Sequence, residues 1–364
     1  MATIYDVARL AKVSAKTVSR VLNGDAPVGR ETREAVEVAM AQLGYVPSNA
    51  ARMMRSQKSG LVGLITGAIS LPSEALQPQG LPDLFIVQGI QRAMAASGMT
   101  MMIADTGGRL DRVPHLIQTF LRHRVEGLIY VAEVHQKVEL PRVPATTPLV
   151  LANCFDAIGT PAVLPDDARG QRDLVNRLIE AGHRRIAYLT LPLHMVATTL
   201  RTAGYAAALA QAGLPYDPAL VDCADYEGRE DETQILWDII DRLLRLPDPP
   251  TVLCCGNDKM ALRVYGILRS RGVKVPDEIS VAGYDNYRVI AETLFPPLTT
   301  VDLSYTAIGV RAAQRLLAMI SESAAAQSQE DCDPMLVSGP VYWRGSVTER
   351  PASKIANLKL VRED

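Results

Sequence analysis

The chain has 364 residues, 48% of them hydrophobic and 21% charged, which suits a globular protein with two or three cores. No apolar run approaches the ~20 residues of a spanning helix, and the first residues lack the basic and apolar regions of a signal peptide, so a cytoplasmic protein is expected. The net charge of −2 hides an asymmetry: residues 1–60 hold nine Lys/Arg against five Asp/Glu, so a polyanion would meet the N-terminal end and not the acidic remainder.

Thr3 is a good N-cap, and Asp6 stands three residues later, where a carboxylate meets free helix N–H groups. Ile4, Val7, Ala8 and Ala11 then recur at helical spacing. After a turn through Lys12 and Val13, Ser14 caps a second helix over 15–22, with Val18, Val21 and Leu22 on its apolar face. A third helix is expected over 28–44, with Val36, Met40 and Leu43 inward and Gly44 as its stop. Two short helices around so tight a turn form a helix-turn-helix, whose second helix offers its N-terminal residues to the major groove. Lys16 and Arg20 lie one turn apart on the polar face and suit the N7 and O6 acceptors of guanine, while Ala15 offers a methyl contact. From periodicity alone, a plain three-helix bundle with a solvated polar face remains open.

Residues 3–52 resemble the lac-repressor (LacI) family of bacterial regulators. The resemblance rests on Tyr5-Asp6-Val7-Ala8, on the run from Val13 to Asn23 (V-S-x-x-T-V-S-R-V-x-N), on Thr32-Arg33 and on Leu43-Gly44-Tyr45-Val46-Pro47. It implies that Ala15, Lys16 and Arg20 read bases, and that Tyr5, Ser14, Thr17, Ser19 and Asn23 contact phosphates or position the recognition helix. Gly29 departs from the serine N-cap usual there, a change that costs little. Residues 47–56 would then be the hinge helix, too short to stand alone and ordered on the operator. Met54 would be the minor-groove wedge, with Ala51 beside it and Arg52 and Arg55 facing phosphates.

From residue 60 apolar strands alternate with helices. Strands are expected over 61–66, 99–104, 127–131, 149–152, 185–190, 219–223, 251–255 and 279–283, and helices over 85–97, 114–124, 170–181, 200–212, 231–246 and 258–271. Such alternation implies parallel sheets covered on both faces, here two doubly wound lobes with a cleft at the carboxyl ends of their strands. The family resemblance runs on through Glu126-Gly127-Leu128-Ile129, Asp166-Asp167-Ala168-Arg169-Gly170, Gly182-His183-Arg184-Arg185, Arg201-x-x-Gly204-Tyr205, Asn257-Asp258-x-Met260-Ala261, Val281-Ala282-Gly283-Tyr284-Asp285 and Arg344-Gly345-Ser346. It implies a periplasmic-binding-protein-like effector domain in which the chain crosses back to the first lobe after 298–301.

The expected division is a helix-turn-helix head (1–45), a hinge linker (46–59), an effector-binding and dimerisation domain (60–347) and a disordered tail (348–364). Within the domain, the N-lobe would hold 60–160 and 291–325, and the C-lobe 161–290 and 326–347. By resemblance, Arg201, Asn257 and Asp285 contact effector, joined by Asn153 and by Tyr226 as a stacking ring. This mixed set suits a sugar or sugar derivative. Asp258 is open between ligand contact and helix cap, His183 reads as a surface or packing residue, and Cys254 and Cys255 as strand core. The proline-rich stretch 71–82 is longer than the family's first cleft loop, 321–329 reads as a mobile loop, and the tail lacks a coiled-coil heptad.

The function implied is that of a LacI-type transcription regulator, a repressor. As a homodimer it would bind a near-palindromic double-stranded DNA operator under control of a carbohydrate effector. No catalytic residue, cofactor or metal is expected: the five cysteines lack C-x-x-C spacing, and no P-loop, G-x-G-x-x-G, G-x-S-x-G or H-E-x-x-H occurs. The alternative is a soluble sugar-binding module without regulatory output, which leaves the basic head without a purpose.

Overall fold

The structure is a computed structural model that describes residues 2–23, 28–46, 58–67, 82–226, 229–321 and 333–350. The chain divides at Gly60 into a head and a body.

In the head, α1 (Ile4–Leu10) opens on a complete capping box: the Thr3 side chain accepts from Asp6 N–H, and the Asp6 carboxylate accepts from Thr3 N–H. Lys12, in the left-handed region (φ 54°), makes the sharp turn into α2 (Ala15–Asn23). α3 (Arg30–Leu43) starts at Gly29, which provides no side-chain cap, and ends at Gly44 (φ 56°). Val7, Ala8, Val18, Val36 and Ala39 form the core. The inward stripe of α3 is thus Val36 and Ala39, with Met40 half-buried; Leu43, expected inside, is 36% exposed. It sits in the last turn of a 14-residue helix whose partners have only 7 and 9 residues.

The body is built on two sheets. The first holds β1 (Leu61–Thr66), β2 (Thr100–Asp105), β3 (Gly127–Lys137), β4 (Leu149–Phe155), β5 (Ala162–Pro165) and β11 (Met335–Val337) in the order β11-β5-β4-β3-β1-β2. The second holds β6 (Ile186–Thr190), β7 (Val221–Cys223), β8 (Val252–Cys255), β9 (Ser280–Asp285), β10 (Thr299–Asp302) and β12 (Val341–Tyr342) in the order β12-β10-β9-β8-β6-β7. All pairings are parallel except β12 with β10. Parallel strands need both faces covered, and β6 and β8 are buried at every residue.

Helices α4 (Pro82–Ala96), α5 (Val113–Arg122) and α11 (Tyr305–Ser321) cover the first sheet. Helices α6 (Asp167–Glu180), α7 (Val196–Gln211), α8 (Glu232–Leu244) and α9 (Asp258–Ser270) cover the second, with the short α10 (Arg288–Ala291) at its end. α4 and α11 meet backbone to backbone. A Cβ on Gly89 would lie 2.2 Å from Thr306 O, and one on Gly309 would lie 2.0 Å from Ile86 O.

Among the described residues the chain crosses between the lobes three times, at 165–167, 302–305 and 337–341. The crossings are tied together by Asp166 N–H to Val337 O (3.0 Å) and Asp302 N–H to Pro340 O (3.0 Å). At Gly339 a Cβ would fall 1.9 Å from Asp302 O, so only glycine fits there. These crossings displace the expected lobe boundaries. Residues 162–165 pair in the first sheet, 299–302 in the second and 335–337 in the first again. The strands responsible are two to four residues long, too short for alternation to register, and the 17-residue α11 was not anticipated at all. The expected hinge residues Ala51, Arg52, Met54 and Arg55, the loop 71–81 and the tail from 351 lie outside the described residues. Among the described residues no helix is long and apolar enough to cross a membrane.

Candidate functional site

The recognition face of the head follows from the packing of α2. Val18 fills the core, which leaves Lys16 and Arg20 exposed on the opposite side. Ser14 and Thr17 are joined to each other: Thr17 N–H donates to Ser14 Oγ (3.1 Å), and the two hydroxyls lie 2.9 Å apart. Ser14 therefore caps α2 as well as standing at its tip. Ala15 is half-buried against the head core, Ser19 is half-buried, Asn23 ends the helix, and Tyr5 on α1 is 70% exposed.

In the body, a cleft of about 1510 Å³ opens between the lobes, and Asn153, Arg201, Tyr226, Asn257 and Asp285 all line it. Two residues that organise its floor, Asp167 and His135, are not among the expected contacts. Asp167, first residue of α6, is buried and takes Arg201 Nε on Oδ1 (2.7 Å) and His135 Nδ1 on Oδ2 (2.8 Å). Arg201 also donates to Gly256 O (2.7 Å) and lies 3.6 Å above the Tyr284 ring. Burial alone would raise the Asp167 carboxyl, but the Arg201 charge and the bonds from His135 and Arg201 hold it below its ordinary value.

Glycine makes this arrangement possible. A Cβ on Gly204 would stand 2.1 Å from Ala168 O, so only glycine lets α7 come close enough to bring Arg201 to Asp167. A Cβ on Gly170 would meet the Tyr284 hydroxyl at 2.2 Å.

Asp258 and Asn257 divide their work in a way the sequence left open. Asn257 is the N-cap of α9, its Oδ1 accepting from Met260 N–H (2.7 Å), while its amide nitrogen lies 3.5 Å from Asp225 Oδ2. Asp258 is buried and accepts from Thr300 Oγ1 (2.7 Å) and Tyr287 N–H (2.7 Å), binding three strand ends into one rim. Burial raises its carboxyl to about 7 against the hydrogen bonds that lower it. Asp285 behaves differently. Held at φ 117°, it is half-buried, and its carboxylate has no hydrogen-bond partner among the described residues. Burial lifts it well above the usual carboxylate range in spite of the nearby Arg201 charge.

The other expected contacts are partly committed. Asn153 (φ 60°) donates through Nδ2 to Ala132 O (3.1 Å), and the Tyr226 ring lies 5.6 Å from the Arg229 guanidinium. Outside the cleft, His183 is fully buried, with Nδ1 2.7 Å from Thr251 Oγ1 and Nε2 3.1 Å from Thr348 O. Burial pushes it down to about 4. Cys254 and Cys255 are core residues of β8. Of Asp167 and His135, only Asp167 carries a sequence signal, inside the Asp166–Gly170 motif. A lone histidine near the irregular end of a strand gives none.

A helix-turn-helix with an exposed cationic face and a two-lobed body with a polar cleft define the class of DNA-binding regulators that carry their own ligand-binding domain. The family of bacterial regulatory proteins, lacI family, matches residues 3–48, and the periplasmic binding protein-like domain matches residues 175–340. The ribose operon repressor of Escherichia coli (strain K12) is 32% identical over 341 residues, 93% of this chain and 98% of that one. Among solved structures, the lac repressor dimer bound to operator and an anti-inducer shares 27% identity at a TM-score of 0.71, over 95% of this chain and 99% of that one. The transcriptional regulator CelR–cellobiose complex shares 28% identity at a TM-score of 0.56, over 95% and 100%. The chain belongs to the lacI family of bacterial regulatory proteins, and it is a DNA-binding transcription regulator. The lacI head sets aside the alternative of a binding module without regulatory output.

Proposed function

We propose that this protein is a cytoplasmic repressor whose operator affinity is set by a neutral polyhydroxyl effector, a sugar or sugar derivative, bound by the body without turnover. The carrying observation is the imbalance on the cleft floor. Arg201, a buried cation, is already neutralised by Asp167, while the Asp285 carboxyl has no hydrogen-bond partner among the described residues. That neutralisation weakens the pull of the floor on a phosphate or carboxylate, and the Asp285 carboxyl, raised by burial, is left to exchange hydrogen bonds with hydroxyl groups. Asn257, Asn153 and Tyr226 complete the contacts, with Arg201 giving its remaining N–H groups. The cellobiose named for one structural neighbour and the ribose operon named for a relative fit this chemistry.

In the head, Lys16 and Arg20 read guanine edges and Ala15 a methyl group. Tyr5, Ser14, Thr17, Ser19 and Asn23 hold the backbone, and at the hinge Met54, with Ala51 beside it, enters the minor groove while Arg52 and Arg55 face phosphates. A homodimer sets two such heads on the halves of a near-palindrome. Exposed apolar side chains on the first lobe, Ile103 at 44% and Leu110 at 63%, offer a surface for the second copy. Effector-driven lobe movement would couple to operator affinity by about 1–3 kcal/mol, roughly 5- to 150-fold.

The test is operator titration by fluorescence anisotropy, using a duplex selected from random DNA, with and without ribose, sucrose and cellobiose. Arg20→Ala should lower discrimination between selected and random duplex by about 1–3 kcal/mol. Asp285→Ala should keep operator affinity and abolish the sugar response. A selected palindrome bound no better than random DNA, or an Asp285→Ala protein that answers sugar normally, overturns the assignment.

A further inference from the structure

The structure points to a ligand acceptor in the cleft, on the opposite lobe from Asp285. We propose that His135 binds effector directly, its Nε2 accepting a hydrogen bond from a ligand hydroxyl, with the imidazole oriented for this by Asp167. The proposal rests on the effector role of the cleft and names the first-lobe half of the same site.

His135 lies near the end of β3, where the pairing with β4 shifts register between Val131 and Gln136. Its ring is 6% exposed, lines the cleft, and packs edge-on against Phe155 at 5.9 Å and 79°. Nδ1 is committed to Asp167 Oδ2 at 2.8 Å. An ionised carboxylate only accepts, so a hydrogen sits on Nδ1, and the neutral tautomer that this bond selects carries its lone pair on Nε2. That nitrogen has no partner among the described residues. His183, the other buried histidine, has both ring nitrogens bonded. A polar atom left unmatched inside a cleft costs free energy that a suitable ligand recovers.

The chemistry of the partner follows. A lone pair is satisfied only by a donor, so the ligand group is an O–H or N–H and not a phosphate or carboxylate oxygen. Asp285, in β9 of the second sheet, leaves a carboxyl without a hydrogen-bond partner among the described residues on the other wall. A polyol can meet both with two hydroxyls and so join the lobes. The Asp167 carboxylate, on a lobe crossing, already bridges His135 of the first lobe to Arg201 of the second.

The experiment uses the full chain. The sugar of the ribose, sucrose and cellobiose set that binds tightest by calorimetry is titrated, with its monodeoxy derivatives, into wild type, His135→Phe and His135→Gln. His135→Phe should weaken the parent sugar about tenfold or more, and His135→Gln less, because its amide oxygen still accepts. One monodeoxy derivative should bind wild type and His135→Phe alike. Equal weakening of parent and all derivatives, or no weakening at all, overturns the proposal while leaving the effector role intact. No binding by wild type of any of the three overturns both.

Should the variants not fold, wild-type protein is treated with diethyl pyrocarbonate and mapped by mass spectrometry. His135 should be labelled, the bound sugar should block that labelling, and the exposed His115 and His123 should be labelled equally in both states. A His135 that never reacts, or that reacts equally with sugar present, also overturns the proposal.

Discussion

The head and the cleft both depend on charged side chains, yet they hold them in opposite ways. Lys16 and Arg20 stand in water on a short helix, and neither belongs to the core of the head among the described residues. Arg201 and Asp167 are buried, and each is neutralised there by the other. Exposed charge is free to meet a partner and contributes little to folding. Buried charge is structural first, and only what it leaves unmatched, as at Asp285, is available to a ligand.

The largest effect should come from splitting the buried pair. Asp167→Ala strands the Arg201 guanidinium and is expected to cost about 3–5 kcal/mol in urea unfolding. Arg20→Ala should change stability by less than about 0.5 kcal/mol. Similar losses for the two would erase the distinction.

Next comes pH. His183 has its folded pKa lowered to about 4 from 6.5 by burial, so the unfolded chain takes up the proton first. Its contribution is fully present above 6.5 and is lost as pH falls toward 4, at most about 3 kcal/mol. Asp258, raised to about 7 by burial, acts in the other direction over the same range, so the comparison needs a variant. The stability gap between wild type and His183→Gln should shrink between pH 7.5 and pH 4. A gap independent of pH would mean that His183 titrates normally.

The smallest effect lies in the head. Gly29→Ser gives α3 the cap it lacks, at a site with nothing within 4 Å of a new Cβ, and should stabilise by a few tenths of a kcal/mol in a thermal melt. A loss would show that the backbone at Gly29 needs glycine.

The same contrast explains what could be read from the sequence. The head was legible because its signals are local: Thr3 with Asp6, Ser14 with Thr17 and the Gly44 stop all act within four residues. The long buried strands were legible for the same reason. Arg201 could be placed in the cleft, but its partner Asp167 is 34 residues away and His135 is 32 further on, separations at which no periodicity operates. The exchange of roles between Asn257 and Asp258 was equally hidden. Either residue type can cap a helix, and the outcome depends on Thr300 and Tyr287 reaching Asp258 from β10 and the end of β9. Leu43 was misjudged because helical spacing says nothing about where the partner helices stop.

The threefold crossing between lobes bears on how the protein is made. The edge of the first sheet is closed by Met335–Val337 pairing with residues synthesised about 170 positions earlier, and α11 reaches that sheet nearly as late. During translation the head can complete its core once a few dozen residues have emerged, whereas neither lobe can finish before almost the whole polypeptide is available. A chain ending before Met335 is therefore expected to yield, under limited proteolysis, a protected head attached to a digestible body.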